Sequence, residues 1–476
     1  MPEAHVKPRV TAIRLPSTVE VTSLERSSDY IYATYRIRDG ADKLKARAEG
    51  IAVGLTVGSW TDLPAAKQES VRQHCGVVDA ITVVEPGTGE PGTTLNGATE
   101  PGAAADQSTT ADGAAGQSAA AQTDTAARTD GPPAATVTAD ITIGYPAINF
   151  TPSFAALLTT VFGKLSMDGV IKLAHLELPA SFTDAFPGPK FGVGGIRERL
   201  GVYDRPLLMS IFKSCIGNSL DELTAHFTEQ ALGGADLIKD DEIFFTEAYA
   251  TPEARVEAYA RAAQRAQQET GKQVLYAVNL TGPVFELRDR ARRLAALGAG
   301  ALLLNVYAYG LDVLAELAAD PAVSVPILAH PAVSGALYAA PHHGIAADIL
   351  LGQLLRLAGA DVVIYPSPYG SVTLERAVGD RLVNALREPG AQREVLPAPS
   401  AGIHPGLVPT LLTDLGTDFI VNAGGGIHGH PDGATAGGRA FLAAIDAAQQ
   451  SVSLEVAAQD SAPLQRALER WGGAAK

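Results

Sequence analysis

The sequence predicts an α/β protein in which an α+β N-terminal domain precedes a (β/α)8 barrel. From residue 206 onward, short apolar runs alternate with stretches of helical spacing, and there are eight such runs. Strands that alternate with amphipathic helices are typical of a parallel sheet, and the number of strands favours closure into a barrel. No GxGxxG motif follows the first run, which argues against an open dinucleotide-binding sheet.

Composition excludes several classes of protein. The 476 residues carry a net charge of -15, which argues against sequence-independent nucleic-acid binding but not against a small anionic substrate. The two cysteines, Cys75 and Cys215, form neither a disulfide framework nor a CxxC pattern. No apolar run reaches the roughly 18 residues of a membrane span, and the N-terminus lacks a signal-peptide pattern. We therefore predict a cytoplasmic protein with no nucleic-acid or membrane partner.

Residues 1–27 are predicted to be a flexible lead-in, residues 28–168 the α+β domain and residues 169–476 the barrel. In the first domain, alternating or β-rich text predicts strands at 30–37, 76–84 and 136–145, and helical spacing predicts helices at 42–53 and 155–165. Residues 85–135 are rich in Ala, Thr, Gly, Ser, Asp and Pro, and they have almost no large apolar side chains. We predict a disordered insertion at a hairpin tip, without a chemical role. A partner-binding tail is the less favoured alternative, because the segment lacks aromatic or charged anchors.

The barrel strands are predicted at 206–213, 235–239, 274–280, 301–306, 325–330, 361–365, 394–400 and 418–426. Intervening helices are predicted at 219–232, 252–269, 286–297, 345–358 and 434–449, among others. Active sites of such barrels lie at the carboxyl ends of the strands. Polar residues or glycines occur at this end of every predicted strand: Lys213, Lys239, Asp241, Glu242, Asn279, Asn305, His330, Ser367, Ser400, Gly424, Gly425 and Gly426.

Taken singly, each of these residues has an ordinary structural explanation. The segment KDDE at 239–242 is consistent with a strand end whose charges face water, and Lys213 with a lysine whose ammonium reaches solvent. Asn279 and Asn305 are typical turn formers, and His330 fits a hydrogen-bonded core histidine. Their coincidence at one predicted mouth favours function.

The residue types indicate a metal site facing a phosphate site. Asp241 and Glu242 offer the carboxylate oxygens that Mg²⁺ prefers, and Lys239 would add a third anionic oxygen ligand if it were a carbamate. The glycines after the eighth strand and the loop at 400–406 expose backbone N–H groups where barrels of this type bind phosphate. The combination predicts enolisation of a phosphorylated ketone, in which a base removes a carbon-bound proton.

These residues lie in segments that resemble the RuBisCO superfamily, and most closely its RuBisCO-like (type IV) enolases of methionine salvage. GGADLIKDDE (233–242) resembles the carbamylated-lysine motif of the superfamily. The closer likeness lies in GLTVGSWTDLP (54–64), LLTTVFGKLSMDG (157–169), PGPKFGVGGIRERLG (187–201), RPLLMSIFK (205–213), LYAVNLTG (275–282), AYGLDV (308–313), ILAHPAVSGA (327–336), PSPYGSV (366–372), PSAGIHPG (399–406) and NAGGGIHGHP (422–431). The resemblance spans the chain from about residue 30 to its C-terminus, except for 85–135. It implies a large-chain fold, in which a ferredoxin-like α+β domain precedes the barrel.

The resemblance also implies a reaction, the tautomerisation of 2,3-diketo-5-methylthiopentyl-1-phosphate to 2-hydroxy-3-keto-5-methylthiopentenyl-1-phosphate. By the resemblance, Lys239 is a carbamate formed with CO2 that binds Mg²⁺ together with Asp241 and Glu242. Lys164 matches the proton-abstracting lysine, which by spacing alone is a surface turn residue. Lys213 and His330 match substrate contacts. Gly402, Gly424 and Gly425 match the residues that contact the substrate phosphate in the family. The family also implies a homodimer in which Lys164 serves the partner's barrel.

Departures from carboxylating RuBisCO argue against CO2 fixation. The loop at 366–375, PSPYGSVTLE, lacks the lysine that polarises CO2, Cys215 replaces a second lysine, and Gly54 lies near the place of a missing acidic residue. Two alternatives to the enolase stay open: an isomerase of another sugar phosphate, such as a methylthioribulose phosphate, and a non-catalytic protein that has kept the fold.

Overall fold

A computed structural model describes residues 26–58, 64–84, 136–245 and 248–473. The predicted insertion at 85–135 lies outside the described residues, as do all but the last two residues of the predicted lead-in. Residues 59–63, within the motif at 54–64, also lie outside them.

The first sheet has five strands in the order β10-β4-β1-β3-β2. They are β1 (Tyr30–Gly40), β2 (Val77–Val84), β3 (Thr136–Pro146), β4 (Ile171–Glu177) and the short β10 (Gly344–Ile345). The order of the four long strands, with helices after β1 and β3, confirms the predicted ferredoxin-like arrangement. Strands β2 and β3 are antiparallel, with Val84 opposite Thr138, so the strands that flank the insertion form the predicted hairpin.

The division of the chain into domains stays a prediction. Strand β4 begins at Ile171, just after the predicted boundary at residue 168, and it pairs with β1. Strand β10, from the later part of the chain, runs parallel to β4 and forms the edge of the same sheet. The first sheet therefore takes in segments from beyond that boundary.

The second sheet contains eight parallel strands in the order β12-β11-β9-β8-β7-β6-β5-β13. They are β5 (Leu207–Ile211), β6 (Leu237–Lys239), β7 (Leu275–Asn279), β8 (Ala301–Asn305), β9 (Ile327–His330), β11 (Val362–Pro366), β12 (Leu396–Ser400) and β13 (Ile420–Ala423). All eight predicted strands are present, and the first pairs with the last in the chain, as in a barrel. The predicted fold class is confirmed.

Helices cover the barrel and fill its connections. The α-helices are α1 (Leu44–Gly54), α2 (Ala65–Val71), α3 (Phe154–Leu158), α4 (Ala180–Thr183), α5 (Gly192–Leu200), α6 (Leu220–Leu232), α7 (Pro252–Thr270), α8 (Leu287–Ala296), α9 (Val306–Tyr309), α10 (Leu311–Ala319), α11 (Gly335–Tyr338), α12 (Leu354–Leu357), α13 (Arg376–Arg387), α14 (Val408–Leu415), α15 (Gly425–His428), α16 (Gly433–Gln449), α17 (Leu454–Ala457) and α18 (Ala462–Trp471). Segments of π-helix lie at Thr159–Gly163 and Asp348–Gln353. Short 3₁₀ turns lie at Arg72–His74, Ala147–Asn149, Leu165–Met167, Val284–Glu286 and Pro405–Leu407.

Local sequence explains where the two helices around β6 begin and end. Helix α6 starts with a capping box, in which the Ser219 side chain accepts from the Glu222 N–H and the Glu222 carboxylate accepts from the Ser219 N–H. Helix α7 starts with Thr251 as N-cap and Pro252 in the first turn, and it ends at Gly271 in the left-handed conformation. These caps define the start of α6 and both ends of α7, the two helices that flank β6.

The lower part of the barrel is filled by apolar side chains. One buried cluster contains Leu207, Met209, Leu237, Leu275, Ala277, Ala301, Leu303, Leu328, Val362, Ile364, Leu396, Ala398 and Ile420. Because strand residues alternate between the two faces, the residue two positions after an interior residue also faces the interior. The polar strand ends therefore lie above an apolar floor. In the part of the chain that the structure describes, no helix has the length and hydropathy of a membrane span.

Candidate active site

Lys239 ends β6 inside the barrel. It follows the interior residue Leu237 by two positions, and its side chain is 1% exposed. Its Nζ donates to the Asp240 carbonyl at 3.0 Å and lies 3.8 Å from Glu242 Oε2. Burial lowers the pKa of Lys239, although the nearby carboxylates of Glu242 and Asp241 oppose this effect. The amine is thus enclosed among oxygen atoms, and its ion pair with Glu242 is a long one.

Asp241 is bound by a lysine from the neighbouring strand end. Lys213 Nζ donates to Asp241 Oδ2 at 2.7 Å, and Asp241 Oδ1 accepts from the Ile243 N–H at 3.3 Å. Burial alone would raise the pKa of Asp241, but the hydrogen bond and charge of Lys213 outweigh it and hold the pKa below the usual value. Asp241 is therefore a carboxylate in the barrel mouth.

Glu242 and His330 face each other across the same space. His330 Nε2 lies 3.4 Å from Glu242 Oε2, and His330 Nδ1 accepts from the Ala332 N–H at 3.2 Å. Burial, with the charge of Lys239 adding to it, lowers the pKa of His330 well below the usual value. The imidazole is thus neutral at pH 7, and the hydrogen bond to Nδ1 assigns its proton to Nε2.

The glycine after β13 allows Lys213 to cross the mouth. A Cβ added to Gly424 would lie 2.8 Å from the Lys213 Cε, whereas one added to Gly425 would meet nothing within 4 Å. Helix α15 begins at Gly425, so the Gly425 and Gly426 N–H groups have no acceptor within the helix, whereas those of Ile427 and His428 donate to the Gly424 carbonyl at 3.0 Å. Lys213 therefore touches both Asp241 and the glycine loop, and it joins the two halves of the predicted site.

The loop after β12 contains two consecutive residues with positive φ. Ala401 (φ 70°) and Gly402 (φ 79°) are both left-handed, and a Cβ added to Gly402 would lie 2.9 Å from the Ser371 N. The Ser367 N–H, from the end of β11, donates to the Ser400 carbonyl at 3.0 Å. The loop at 400–402 therefore lies close against the segment that follows β11.

Lys164 stands apart from these residues. It follows the π-helix at Thr159–Gly163, which replaces the second half of the predicted helix, and its side chain is exposed. Among the described residues, Lys164 makes no hydrogen bond or ion pair with the barrel. Met167 and Val170 on the same segment are 81% and 54% exposed. The structure thus leaves Lys164 on an open, partly apolar surface. The predicted residues that it brings together are Lys213, Lys239, Asp241, Glu242, His330 and Gly424.

A second charged cluster beneath the mouth was not foreseen from the sequence. Asp240 accepts from Arg255 Nη2 at 3.0 Å, from the Tyr276 hydroxyl at 2.7 Å and from the Asn279 N–H at 2.9 Å. Asp240 and Arg255 are fully buried, and the Arg255 guanidinium lies 3.9 Å from the centre of the Phe244 ring. The only sequence feature that indicates this cluster is an arginine, Arg255, on the apolar face of α7, and helical periodicity does not indicate which residue it contacts.

Comparison with known proteins supports the same relationship over most of the chain. Residues 192–471 match the family model described as the ribulose bisphosphate carboxylase large chain, catalytic domain. A protein of Geobacillus thermodenitrificans named 2,3-diketo-5-methylthiopentyl-1-phosphate enolase is 49% identical over 445 residues, which cover 93% of this chain and 98% of the relative. A relative of the same name from Geobacillus kaustophilus is 48% identical with the same coverage.

Solved structures give the same result. A RuBisCO-like protein (MtnW) of Alicyclobacillus acidocaldarius is 58% identical with a TM-score of 0.81, covering 93% of this chain and 100% of that one. A ribulose-1,5-bisphosphate carboxylase/oxygenase of Pyrococcus horikoshii is 27% identical with a TM-score of 0.78, covering 94% of this chain and 95% of that one. Sequence identity places the chain nearer to this RuBisCO-like protein, at 58%, than to this carboxylase, at 27%. The chain belongs to the RuBisCO large-chain family, and within it to the RuBisCO-like proteins.

Proposed function

We propose that this chain is an isomerase that enolises 2,3-diketo-5-methylthiopentyl-1-phosphate to 2-hydroxy-3-keto-5-methylthiopentenyl-1-phosphate in methionine salvage, with Mg²⁺ and without carboxylase activity. The names of its relatives support the substrate. The observation that carries the proposal is the position of Lys213, whose Nζ binds Asp241 while its Cε packs against Gly424. One side chain thus connects a carboxylate pair to a glycine loop suited to phosphate.

The donor set fits Mg²⁺ if Lys239 carries a carbamate. In the described ranges, no group of three or more His, Cys, Asp and Glu side chains is arranged to hold a metal ion. Asp241 and Glu242 supply two carboxylates, and a carbamate on Lys239 would supply the third anionic oxygen ligand. Mg²⁺ favours such oxygen ligands and keeps positions open for substrate. When bound, the ion would polarise the substrate carbonyl.

Carbamylation needs an amine that is free to react with CO2. The Nζ lone pair attacks the carbon of CO2, the new N–C bond forms as one C=O π pair moves to oxygen, and a proton leaves the nitrogen. Lys239 suits this step because its amine is enclosed and, in the part of the chain that the structure describes, its ion pair is the long one with Glu242 at 3.8 Å. The resulting carbamate would lie beside Asp241 and Glu242.

The remaining residues have roles in binding and proton transfer. Lys164 Nζ takes the proton from C1 of the substrate, the C–H pair forms the C1=C2 bond, the C2=O π pair moves to oxygen, and that oxygen takes up a proton from solvent. Lys213 and His330 contact the substrate near the reacting carbonyl. Gly402, Gly424 and Gly425 bind the phosphate through backbone N–H groups.

Lys164 reaches the site from a second copy of the chain. The surface around Lys164 exposes Met167 and Val170, and the loops at the barrel mouth expose Ile216, Ile243, Phe245 and Phe285. Exposed apolar side chains on both surfaces fit a protein–protein contact. In the homodimer, the second copy thus supplies the base and also covers the barrel mouth.

Two features argue against carboxylation. The loop at 366–375 has no lysine, and the position of a second lysine is occupied by Cys215. Burial, with the charge of Asp241 adding to it, raises the pKa of the Cys215 thiol to about 11. A neutral buried thiol does not replace a lysine cation, so the site retains the parts for enolisation alone.

The test is a direct assay of purified protein with the diketo phosphate, Mg²⁺ and bicarbonate. We expect the absorbance of the conjugated enol to appear. In a separate assay with ribulose bisphosphate and labelled bicarbonate, we expect no label to be fixed. Lys239→Ala, assayed in parallel, should be inactive. An unchanged substrate spectrum with the wild-type protein would refute the proposal. Turnover of a methylthioribulose phosphate instead would favour the alternative isomerase.

A further inference from the structure

Two asparagines on neighbouring strands hold the same backbone carbonyl. Asn279 ends β7 and Asn305 ends β8, and the Nδ2 of each donates to the Glu242 carbonyl at 3.1 Å. Asn279 Nδ2 also donates to the Phe244 carbonyl at 3.1 Å. The backbone of the acidic segment is therefore fixed from two strands at the residue that carries the second carboxylate.

The side-chain carbonyl oxygen of each asparagine is in an unusual environment. Asn279 and Asn305 are 0% and 7% exposed, and their Oδ1 atoms are buried without a hydrogen-bond partner in the described part of the chain. An unpaired buried carbonyl oxygen destabilises a folded protein, and an apolar side chain of similar shape avoids this cost. Because each Nδ2 binds a carbonyl, exchanging the amide nitrogen and oxygen would not remove the mismatch.

We propose that Asn279 and Asn305 are positioning residues that hold Glu242 in place to bind a divalent cation. This inference rests on the proposed function and deepens it. Each Nδ2 fixes the Glu242 main chain, which sets where the carboxylate lies relative to Lys239 and Asp241. The two Oδ1 atoms are the acceptors for water molecules that bind in the mouth with the cation.

The two asparagines differ in a way that makes the inference testable. The Asn279 side chain donates to two carbonyls, those of Glu242 and Phe244, so its replacement also removes a contact that does not involve Glu242. Within the described ranges, the side-chain amide of Asn305 donates to the Glu242 carbonyl alone. Asn305→Leu keeps the approximate shape and removes both the donor and the unpaired acceptor, so it separates positioning from stability.

The experiment measures Mn²⁺ binding to the full-length protein in bicarbonate, from the electron paramagnetic resonance signal of free Mn²⁺. We expect Asn305→Leu to weaken Mn²⁺ binding about 10-fold, since residues that orient metal ligands typically contribute on that order. Its midpoint of urea unfolding without metal should equal or exceed that of the wild type. Asn384→Leu, at an exposed position of α13, is the matched control and should change neither quantity.

The outcomes separate this inference from the proposed function. Unchanged Mn²⁺ affinity in Asn305→Leu, or a fall in affinity matched by a lower urea midpoint, would overturn the positioning role. A wild-type protein that binds no Mn²⁺ in bicarbonate would overturn the proposed metal site itself. In the double variant with Asn279→Leu, affinity should fall by less than the product of the two single effects, because both donors serve one acceptor.

Discussion

Asp240 and Asp241 are adjacent in the chain, yet they belong to clusters of opposite character. Asp240 points out of the barrel, where Arg255, Tyr276 and the Asn279 N–H satisfy its carboxylate in full burial. Asp241 points into the mouth and has Lys213 as its partner, and Lys213 is itself 45% exposed. Strand geometry explains the divergence, because successive side chains lie on opposite faces.

The difference indicates which charges serve the fold and which serve function. Asp240 is completely paired, as a buried charge must be if the fold is to be stable. Inside the mouth, Lys239 has only a long ion pair with Glu242 at 3.8 Å, and the Oδ1 atoms of Asn279 and Asn305 have no hydrogen-bond partner among the residues that the structure describes. Unsatisfied polar groups of this kind are retained where a ligand or modification completes them.

The strongest test of this comparison is Arg255→Met, which leaves the Asp240 carboxylate buried without its cation. We expect a loss of about 3–5 kcal/mol in the free energy of unfolding, as for other buried pairs that lose one partner. Urea denaturation followed by circular dichroism measures it. Arg261→Met, at an exposed position of the same helix, is the control and should change the value by less than about 0.5 kcal/mol. Equal small losses in both variants would show that Asp240 is not a structural anchor.

The sequence predicts the residues of the barrel mouth better than it predicts the charged cluster beneath the mouth. The eight strands and the residues at their ends follow from short apolar runs and from the rule for barrel active sites. The pairing of Asp240 with Arg255 joins a strand end to a helix face, and no periodic pattern reports such a contact. The hydrogen bonds from Asn279 and Asn305 to the Glu242 carbonyl could not be predicted either, because every residue has a main-chain carbonyl and no sequence pattern identifies the one that is bound. The role of Lys164 came only from family resemblance.

A smaller effect on stability is expected for Lys239→Met inside the mouth. Methionine replaces a buried amine by an apolar side chain of similar length, so the free energy of unfolding should change by less than about 1 kcal/mol. Binding of Mn²⁺ in bicarbonate should be lost, because the third anionic ligand cannot form. Urea denaturation and Mn²⁺ titration measure the two quantities. A loss of stability as large as in Arg255→Met would place Lys239 with the structural charges instead.

The smallest change in stability is expected for Lys164→Ala, because an exposed side chain without a barrel contact is removed. The free energy of unfolding should stay within about 0.5 kcal/mol, whereas turnover of the diketo phosphate should fall roughly 10²- to 10⁴-fold with the loss of the base. Mn²⁺ binding should be unaffected. Lys45→Ala, at an exposed position of α1, is the control for loss of an N-terminal lysine. Full activity in Lys164→Ala would leave the enolisation without its proposed base.

Mixing two inactive variants decides whether Lys164 acts within its own chain or in the partner's barrel. A heterodimer of Lys164→Ala and Lys239→Met contains one site with both lysines intact only if each barrel uses the base of the other copy. Random exchange of subunits should then restore about a quarter of the wild-type activity, since half of the dimers are mixed and half of their sites are complete. If each Lys164 served its own barrel, every site in the mixture would lack one lysine and activity would stay absent. The same mixture of Lys239→Met with Asn305→Leu should recover nothing beyond the Asn305→Leu activity, because both residues belong to one barrel.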